Sequence, residues 1–281
     1  MIPYIIQASD YYNGSAGIRN YHRLCRDLNN LGYKCYIIAD VVNPEWNTPK
    51  YSDLNPRQRR ILFSGPVNII YSEVVRGNPL NGKRIIRYLQ QYPGFLGGDT
   101  IFDKSVIVFS YSKDFMIPGQ PEENILAGSI IELELFNLEG IGERDYETYY
   151  FGKMDWNNNI KRGIRESANV KIIKRLPTIP STRKGVADLL KNSKILYCYD
   201  DLTVMIEEAR LCGCPVVVYS NRFQREYYKN NPGGDGGIAL DNTPEEIKYA
   251  KSTLNNFIEN YKKIYEKYPE QLKHFVEVTQ K

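Results

Sequence analysis

The length and composition of the chain fit a globular protein with two domains. It has 281 residues, 42% of them apolar and 25% charged, and at about 150 residues per domain each half can bury its own core. The net charge of +4 does not demand a polyanionic partner such as nucleic acid, although it permits weak attraction to nucleotide phosphates or anionic lipid headgroups. No stretch approaches the roughly 18 apolar residues of a membrane span.

The amino terminus and the cysteines favour the cytoplasm. Residues 1–13 contain no basic segment and only a short apolar run, so we expect a first strand rather than a signal peptide. Five cysteines, an odd number without a secretory signal, indicate reduced thiols. We therefore expect a cytoplasmic protein.

The chain opens with a β-α-β unit. A strand is predicted at residues 3–7, a helix with apolar residues at helical spacing at 17–31, and a second strand at 34–39. The loop before the helix contains Gly14 and Gly17 and follows the carboxyl end of the first strand. It is not a GxGxxG sequence, so dinucleotide binding is not expected. The loop is either a plain turn or part of a ligand site.

Four further elements are predicted in the rest of the first half. They are a strand at 67–71, a helix at 81–91 and strands at 106–109 and 130–136. Glu73 and Asn78 follow the first of these strands, where they are either solvated turn residues or residues of a cleft. Residues 138–144, which include two glycines, are the predicted linker between two domains.

The second half begins again with a strand. This strand, at residues 149–153, ends in Gly152 and Lys153, and it is followed by a strand at 170–176 and a helix at 183–192. Lys153 is either a surface lysine at a turn or a cation that holds an anionic ligand.

The stretch from 193 to 220 carries the strongest local pattern. It reads as a strand at 195–199, a helix that begins near Val204 with Thr203 as its cap, a stop at Gly213, and a strand at 215–219. A parallel β-α-β unit places its ligands at the carboxyl ends of the strands, where Asp200 and Asp201 lie.

The chain closes with a glycine-rich turn, a strand and a helix. The turn covers residues 231–237 and precedes a short strand at 238–240. A capping box with Thr243 and Pro244 then begins a long helix with an apolar face, for which docking against a core is the favoured interpretation.

The central stretch resembles a motif of retaining glycosyltransferases of the GT-B architecture, of the group 1 or family 4 type. Those proteins have an acidic residue, seven intervening residues, Glu-Ala, a small-residue turn, Gly-x-Pro and a valine-rich strand. Here Asp200 stands at the first acidic position, Glu208 and Ala209 stand at the second, and residues 213–217 read Gly-Cys-Pro-Val-Val. The chain departs from the pattern in two respects. The first acid is Asp rather than Glu, and Asp-Leu-Thr at 201–203 replaces Gly-Phe-Gly.

The resemblance implies that the second domain binds a nucleotide sugar. Glu208 would accept hydrogen bonds from the ribose, since a carboxylate can accept two from a vicinal diol. The amides of Leu202 and Thr203 suit the phosphates and the departing nucleoside diphosphate. Asp200 suits hydroxyls of the transferred sugar, with Asp201 beside it among the donor-binding residues. The competing interpretation is that Glu208 pairs with a neighbouring helix and Asp200 caps its own.

The resemblance also implies cationic and acceptor-side residues. Gly152 and Lys153 correspond to a Gly-Arg or Gly-Lys pair whose cation holds the diphosphate, and Lys161 is the expected second cation. Lys153 and Asp200 are therefore the residues expected to act in catalysis. The expected acceptor-side cleft residues are Gly14, Gly17, Glu73 and Asn78.

Together these expectations define a GT-B protein of the α/β class with two Rossmann-like domains facing across a cleft. Residues 1–140 form the acceptor-side domain, and residues 141–281 form the nucleotide-sugar domain, with a closing helix that in such enzymes often crosses back to the first. The expected activity is that of a hexosyltransferase that uses a donor such as UDP-glucose or GDP-mannose in polysaccharide biosynthesis. The acceptor is a glycan or a lipid-linked molecule, and transfer proceeds with retention. No cofactor, metal or nucleic acid is expected, and membrane contact is at most peripheral.

Other functions find less support in the sequence. A nucleotide-sugar epimerase of the same fold would need further catalytic carboxylates and a histidine, and a non-catalytic two-lobed module for a nucleotide or metabolite also stays open. Cys212 and Cys214 lack the histidine pair of a zinc site, and a catalytic triad would have to use His22 or His274. No P-loop and no Asp-x-Asp in a strand context is present.

Overall fold

The structure is a computed structural model that describes residues 1–128, 130–154, 163–219, 222–231 and 233–281. The chain divides into two compact units. Unit 1 consists of Met1–Tyr12, Gly17–Ile130 and Tyr265–Lys281. Unit 2 consists of Asn13–Ala16 and Ile131–Ile264.

Unit 1 contains a five-stranded parallel sheet in the order β2-β1-β3-β4-β5. Its strands are β1 (Tyr4–Gln7), β2 (Cys35–Ile38), β3 (Asn68–Ser72), β4 (Arg84–Leu89) and β5 (Ile107–Ser110). Helix α1 (Ala16–Asn30) joins the first two strands in sequence, and α2 (Pro56–Leu62) lies between β2 and β3. The strands are short apolar runs without alternation, as expected where both faces of a parallel sheet are covered.

The core of unit 1 lies on both faces of this sheet. One face packs against α1 and the end of the last helix through Tyr4, Ile6, Leu24, Leu28, Ile70, Ile86, Phe109, Leu272 and Phe275. The opposite face is a smaller cluster built from Ile5, Val67, Ile69 and Tyr71, against which Leu62 of α2 packs.

Unit 2 contains a second five-stranded parallel sheet, in the order β10-β9-β8-β6-β7. Its strands are β6 (Tyr146–Tyr150), β7 (Val170–Ile173), β8 (Ser193–Cys198), β9 (Val216–Val218) and β10 (Ile238–Ala239). The helices that follow in chain order are α3 (Arg183–Lys191), α4 (Met205–Leu211), α5 (Arg225–Asn230) and α6 (Pro244–Thr279). None of the helices among the described residues combines the length and apolar character needed to cross a bilayer.

The two sheets share one strand order. Read from its other edge, the second sheet runs β7-β6-β8-β9-β10, which repeats the order β2-β1-β3-β4-β5 of the first. In this order the direction of strand addition reverses between the first and the third strand of each unit. Open α/β sheets bind ligands at the carboxyl ends of the two strands on either side of that point. In unit 2 that position lies between β6 and β8.

Two predicted elements are wrong. Residues 81–91 were expected to form a helix, but Arg84–Leu89 is strand β4, paired in parallel with β3 and β5. The run Arg-Ile-Ile-Arg-Tyr-Leu is compatible with both the helical and the strand periodicity. Pairing with a neighbouring strand on each side makes it a strand. Residues 130–136 were expected to form a strand, yet they fold as turns in which the amide of Phe136 donates to the carbonyl of Glu132 at 2.9 Å.

Phe275 provides a test of the unit 1 core. The centre of its fully buried ring lies 4.8 Å from the centre of the Phe109 ring and 6.2 Å from that of the Tyr4 ring. We expect Phe275→Ala to lower the free energy of unfolding by about 3–5 kcal/mol, because a cavity replaces the ring. Lys273→Ala on the same helix, where the side chain is exposed, should change it by less than about 0.5 kcal/mol. Urea unfolding of both variants makes the comparison, and equal losses would contradict this packing.

Candidate functional site

The polar residues of unit 2 gather where its central strands end. Lys153 follows β6, Asp200 and Asp201 follow β8, and Arg222 follows β9 shortly after Val218. Since neighbouring parallel strands end at one edge of a sheet, these residues lie along the carboxyl edge at the position where ligands bind in such sheets.

Asp200 is the buried centre of this edge. Its side chain is only 3% exposed, and its Oδ2 accepts a hydrogen bond from the amide of Lys153 at 3.0 Å. The ammonium of Lys153 lies 2.8 Å from Asp200 Oδ1 and donates to the carbonyl of Leu202 at 2.7 Å. Lys153 thereby ties the end of β6 to the segment that leads into α4, and both carboxylate oxygens of Asp200 have partners.

Gly152 makes this approach possible. Its φ of +55° lies in the left-handed region, and a Cβ there would stand 2.6 Å from the Cβ of Asp200 and clash with Oδ2. Both the backbone conformation and the lack of a side chain are therefore required for Lys153 to reach Asp200.

The start of α4 differs slightly from the prediction. The helix begins at Met205, so Val204 occupies the cap position and makes no side-chain cap bond. Thr203 lies one residue earlier, and its Oγ1 accepts a long hydrogen bond of 3.4 Å from the amide of Met205. The amide of Leu202 points at Asp200 Oδ1 at 3.4 Å.

Asp201 holds an arginine that the sequence did not indicate. The guanidinium of Arg222 binds both oxygens of Asp201, with Nε 3.2 Å from Oδ2 and Nη2 against Oδ1. The hydrogen bond to Asp201 raises the pKa of Arg222, and the charges of Asp201 and Asp200 act in the same direction. The only local signal for this residue is its place just beyond a valine-rich strand.

Glu208 is fully buried in α4 and pairs with an arginine of a neighbouring helix. Nη1 of Arg183 lies 3.3 Å from Glu208 Oε2, and Nη2 contacts Oε1. The same guanidinium donates to Glu132 Oε2 at 3.2 Å and lies 4.5 Å from the centre of the Phe136 ring. Burial lowers the pKa of Arg183, but the charges of Glu208 and Glu132 more than compensate and raise it.

Among the acceptor-side residues, Glu73 and Gly17 meet through a common partner. The amide of Gln90 donates to Glu73 Oε2 at 3.1 Å, and its side-chain Nε2 donates to the carbonyl of Gly17 at 3.2 Å. Glu73 is 5% exposed, and burial raises the pKa of its carboxyl group. Tyr21 adds a long hydrogen bond of 3.4 Å to Glu73.

The other predicted residues lie elsewhere. Asn78 organises its own turn, where Oδ1 accepts from the amide of Gly82 at 2.9 Å and from the hydroxyl of Tyr71 at 2.8 Å. Gly14 lies in the turn before α1, and Lys161 lies outside the described residues.

The five cysteines and both histidines lie among the described residues. All five thiols are buried and free, and burial raises the pKa of Cys212 and of Cys214 to about 12. His22 is fully buried, with Nε2 3.0 Å from the carbonyl of Ser9. Within the part of the chain that the structure describes, no three His, Cys, Asp or Glu side chains are grouped as a metal site would need.

Comparison with solved structures identifies the fold. A glycosyltransferase from Rickettsia africae ESF-5 matches at a TM-score of 0.53, with 10% identity over 99% of this chain and 98% of that one. The chain shares that protein's fold. This confirms the predicted α/β class with two Rossmann-like domains of the GT-B type. At 10% identity the likeness shows the fold alone.

A second solved structure gives a weaker match. WaaG, a glycosyltransferase involved in lipopolysaccharide biosynthesis, has a TM-score of 0.44 at 10% identity over 95% of each chain. No family model matches the chain, and neither does any curated protein.

Substitution of Gly152 tests the geometry of the carboxyl edge. We expect Gly152→Ala to destabilise unit 2, because the new methyl group strains the backbone and collides with Asp200. Gly140→Ala is the matched control, since Gly140 also has a positive φ but a Cβ there meets nothing within 4 Å. The loss of unfolding free energy should be larger at Gly152 by about 1–3 kcal/mol. Equal losses in urea unfolding would show that the contact with Asp200 is unimportant.

Proposed function

We propose that the chain is a glycosyltransferase that moves a hexosyl group from a nucleotide sugar to an acceptor. The observation that carries the proposal is the contact of Lys153 with Asp200, where β6 and β8 end, on a chain with the fold of a glycosyltransferase. The acidic pattern that leads from Asp200 to Glu208 supports it independently. Unit 2 would bind the donor and unit 1 the acceptor.

Lys153 is suited to the donor diphosphate. An ammonium group has three N–H donors. Asp200 and the carbonyl of Leu202 account for two of them, so capacity for one phosphate oxygen remains on a side chain that is 36% exposed. The amide of Thr203 is a proposed further donor to the phosphates, and so is that of Leu202, which would exchange its long bond of 3.4 Å to Asp200 for one to phosphate. Positive charge and amide dipoles aimed at a departing diphosphate stabilise the charge that develops on it.

Asp200 and Asp201 have different proposed roles beside the diphosphate. Asp200 would bind hydroxyl groups of the transferred sugar, and its contact with Lys153 would keep it oriented while it does so. Asp201 would act by holding Arg222, which adds a second positive charge to the same edge. Lys161, outside the described residues, remains a proposed third cation.

Glu208 is the proposed ribose ligand. The role follows from its place at the Glu-Ala position of the motif that the chain resembles. Arg183 contacts both oxygens of Glu208 and would fix the orientation of the carboxylate. Burial of this acid without Arg183 would be costly.

The acceptor side and the stereochemistry are proposals that extend the same family resemblance. Glu73 and Gly17 meet at Gln90 in unit 1, and we assign them to binding of a glycan or lipid-linked acceptor. Transfer with retention and a role in polysaccharide biosynthesis follow the same resemblance. A donor such as UDP-glucose or GDP-mannose fits this assignment.

The reaction is proposed to need no metal and to take place in the cytoplasm. Lys153 and Arg222 supply positive charge at the carboxyl edge, where other transferases use a divalent cation. Five free thiols support a reducing compartment. Contact with a membrane would be peripheral.

A ligand screen followed by a transfer assay tests this function. Nucleoside diphosphates should raise the thermal stability of the protein, since a ligand at a hundred times its Kd adds about 2.7 kcal/mol. Hydrolysis of, or transfer from, a panel of UDP- and GDP-sugars should then identify the donor. Binding without turnover would support a non-catalytic module instead, and inversion at C2 of the sugar would support an epimerase.

Variants of the two acids separate their roles. Glu208→Gln should weaken the binding of both the free nucleoside diphosphate and the nucleotide sugar by about 1.5–3 kcal/mol, because a charge-assisted bond to ribose is lost. Asp200→Asn should not weaken the binding of the free nucleoside diphosphate, since the transferred sugar is absent from that ligand. It should lower kcat. Glu207→Gln on the same helix is the control. Calorimetry that shows unchanged nucleotide affinity in folded Glu208→Gln removes the ribose assignment.

Chelation tests the proposed independence from metal. We expect turnover to persist in EDTA, because Lys153 and Arg222 carry the charge that a cation would otherwise supply. Loss of activity in EDTA that manganese restores would contradict the proposal. Lys153→Met, measured in parallel, should lower turnover with or without metal.

A further inference from the structure

A cavity lies beside helix α3 in unit 2. It is formed between that helix and the turns at residues 134–140, and its volume is about 270 Å³. A single water needs only about 10–15 Å³ of such a space, so the cavity has room for a small metabolite. Two lysines, three acids and one asparagine make up its charged and amide lining.

Lys191, the last residue of α3, lies in the buried part of this lining. Only 9% of the residue is exposed, although its side chain ends in an ammonium group. The ammonium donates to Oδ1 of Asn137 at 3.0 Å, which joins the helix to the opposite wall. Among the described residues no carboxylate pairs with it. Since an ammonium group has three N–H donors, capacity for an anion remains at this point.

The contact with Asn137 does not require a charge. Its Oδ1 also accepts from the amide of Glu139 at 2.9 Å, and its Nδ2 donates to the carbonyl of Leu133 at 2.9 Å and to that of Glu134 at 3.0 Å. Asn137 therefore organises its own turn, and a neutral donor on α3 would serve it equally well. A buried charge without an opposite charge lowers stability. The charge of Lys191 thus needs a partner that the described residues do not supply.

The rim of the cavity is acidic. Glu134 and Glu139 line it and are exposed, and neither carboxylate has an ion pair with another described residue. Lys184 and Asp188 lie on the same rim and pair with each other, with Nζ 2.5 Å from Oδ2. The charges left over are one buried cation and two exposed carboxylates.

We propose that this cavity binds a small zwitterion, with its oxyanion at Lys191 and its ammonium group at Glu134 and Glu139. A carboxylate or phosphate at Lys191 would accept a charge-assisted hydrogen bond where little water competes. The ammonium group would lie at the two rim carboxylates, which would repel a plain anion. Leu135 and Ala187 also line the cavity and would contact a short apolar chain between the two ends.

A panel of ligands tests the proposal on the full chain. The α-amino acids and phosphoethanolamine carry both kinds of charge, whereas acetate, inorganic phosphate and ethylammonium carry one. Isothermal titration calorimetry should show saturable binding of at least one zwitterion and weaker binding of every probe with a single kind of charge. Preference for an amino acid would identify the bound oxyanion as a carboxylate, and preference for phosphoethanolamine would identify it as a phosphate.

The substitution Lys191→Gln separates the charge from the hydrogen bond. Glutamine keeps an N–H donor for Asn137, so thermal stability should not fall. Affinity for the zwitterion should fall roughly 10- to 100-fold, because a charge-assisted hydrogen bond is lost. Lys194→Gln removes an exposed lysine of β8 that does not line the cavity, and this control should bind like the unaltered protein.

The rim acids give a second test that does not touch a buried residue. Glu134→Gln/Glu139→Gln should weaken binding of the zwitterion and strengthen binding of the plain anion, because the repulsion is removed. Glu166→Gln/Glu259→Gln removes two exposed acids of unit 2 outside the cavity and should change neither. This pair of variants keeps the test decisive even where Lys191→Gln lowers thermal stability.

Three results would overturn the proposal. The first is the lack of saturable binding for every zwitterion of the panel. The second is unchanged affinity in Lys191→Gln, or an equal loss in Lys194→Gln. The third is loss of the zwitterion in Lys153→Met, which would place it at the carboxyl edge. Nucleoside diphosphates should bind Lys191→Gln like the unaltered protein, so this proposal and sugar transfer can fail separately.

Discussion

The buried carboxylate of Asp200 is the constraint on which the candidate site depends. A carboxylate that is 3% exposed is costly unless its charge and its lone pairs are matched. The ammonium group of Lys153 supplies the opposite charge, and its backbone amide donates a hydrogen bond to the carboxylate. This can happen only because Gly152 has no side chain and adopts a positive φ. The ends of β6 and β8 are consequently fixed relative to each other before any ligand arrives.

The other acids at this edge are likewise paired with basic side chains. Arg222 binds Asp201, and Arg183 binds Glu208. Each of these acids thus contacts a cation, and Arg183 also contacts Glu132. A phosphate ligand would need to share these cations with the acids. Selectivity would then depend on how well the ligand replaces or extends existing contacts, more than on long-range attraction, which agrees with the modest net charge of the chain.

The local pattern was sufficient to predict β8, α4 and β9. Short apolar runs mark both strands, and Gly213, with a φ of +70°, ends the helix between them. The run at 84–89 was misread because its local period is ambiguous, and only pairing with β3 and β5 selects a strand. The partners of the acids were not predictable for a related reason. Arg183 and Glu208 are 25 residues apart, and no local rule joins them.

The repeated strand order indicates that both units use one architectural plan, with polar residues at the carboxyl edge of each sheet. The central claim is that the edge at β6 and β8 binds the nucleotide. A crystal structure of the protein with a bound nucleoside diphosphate tests it most directly. The account predicts a phosphate oxygen within about 3 Å of Lys153 Nζ and others facing the amides of Leu202 and Thr203. A nucleotide bound in unit 1, or at the amino ends of the unit 2 strands, would contradict the account.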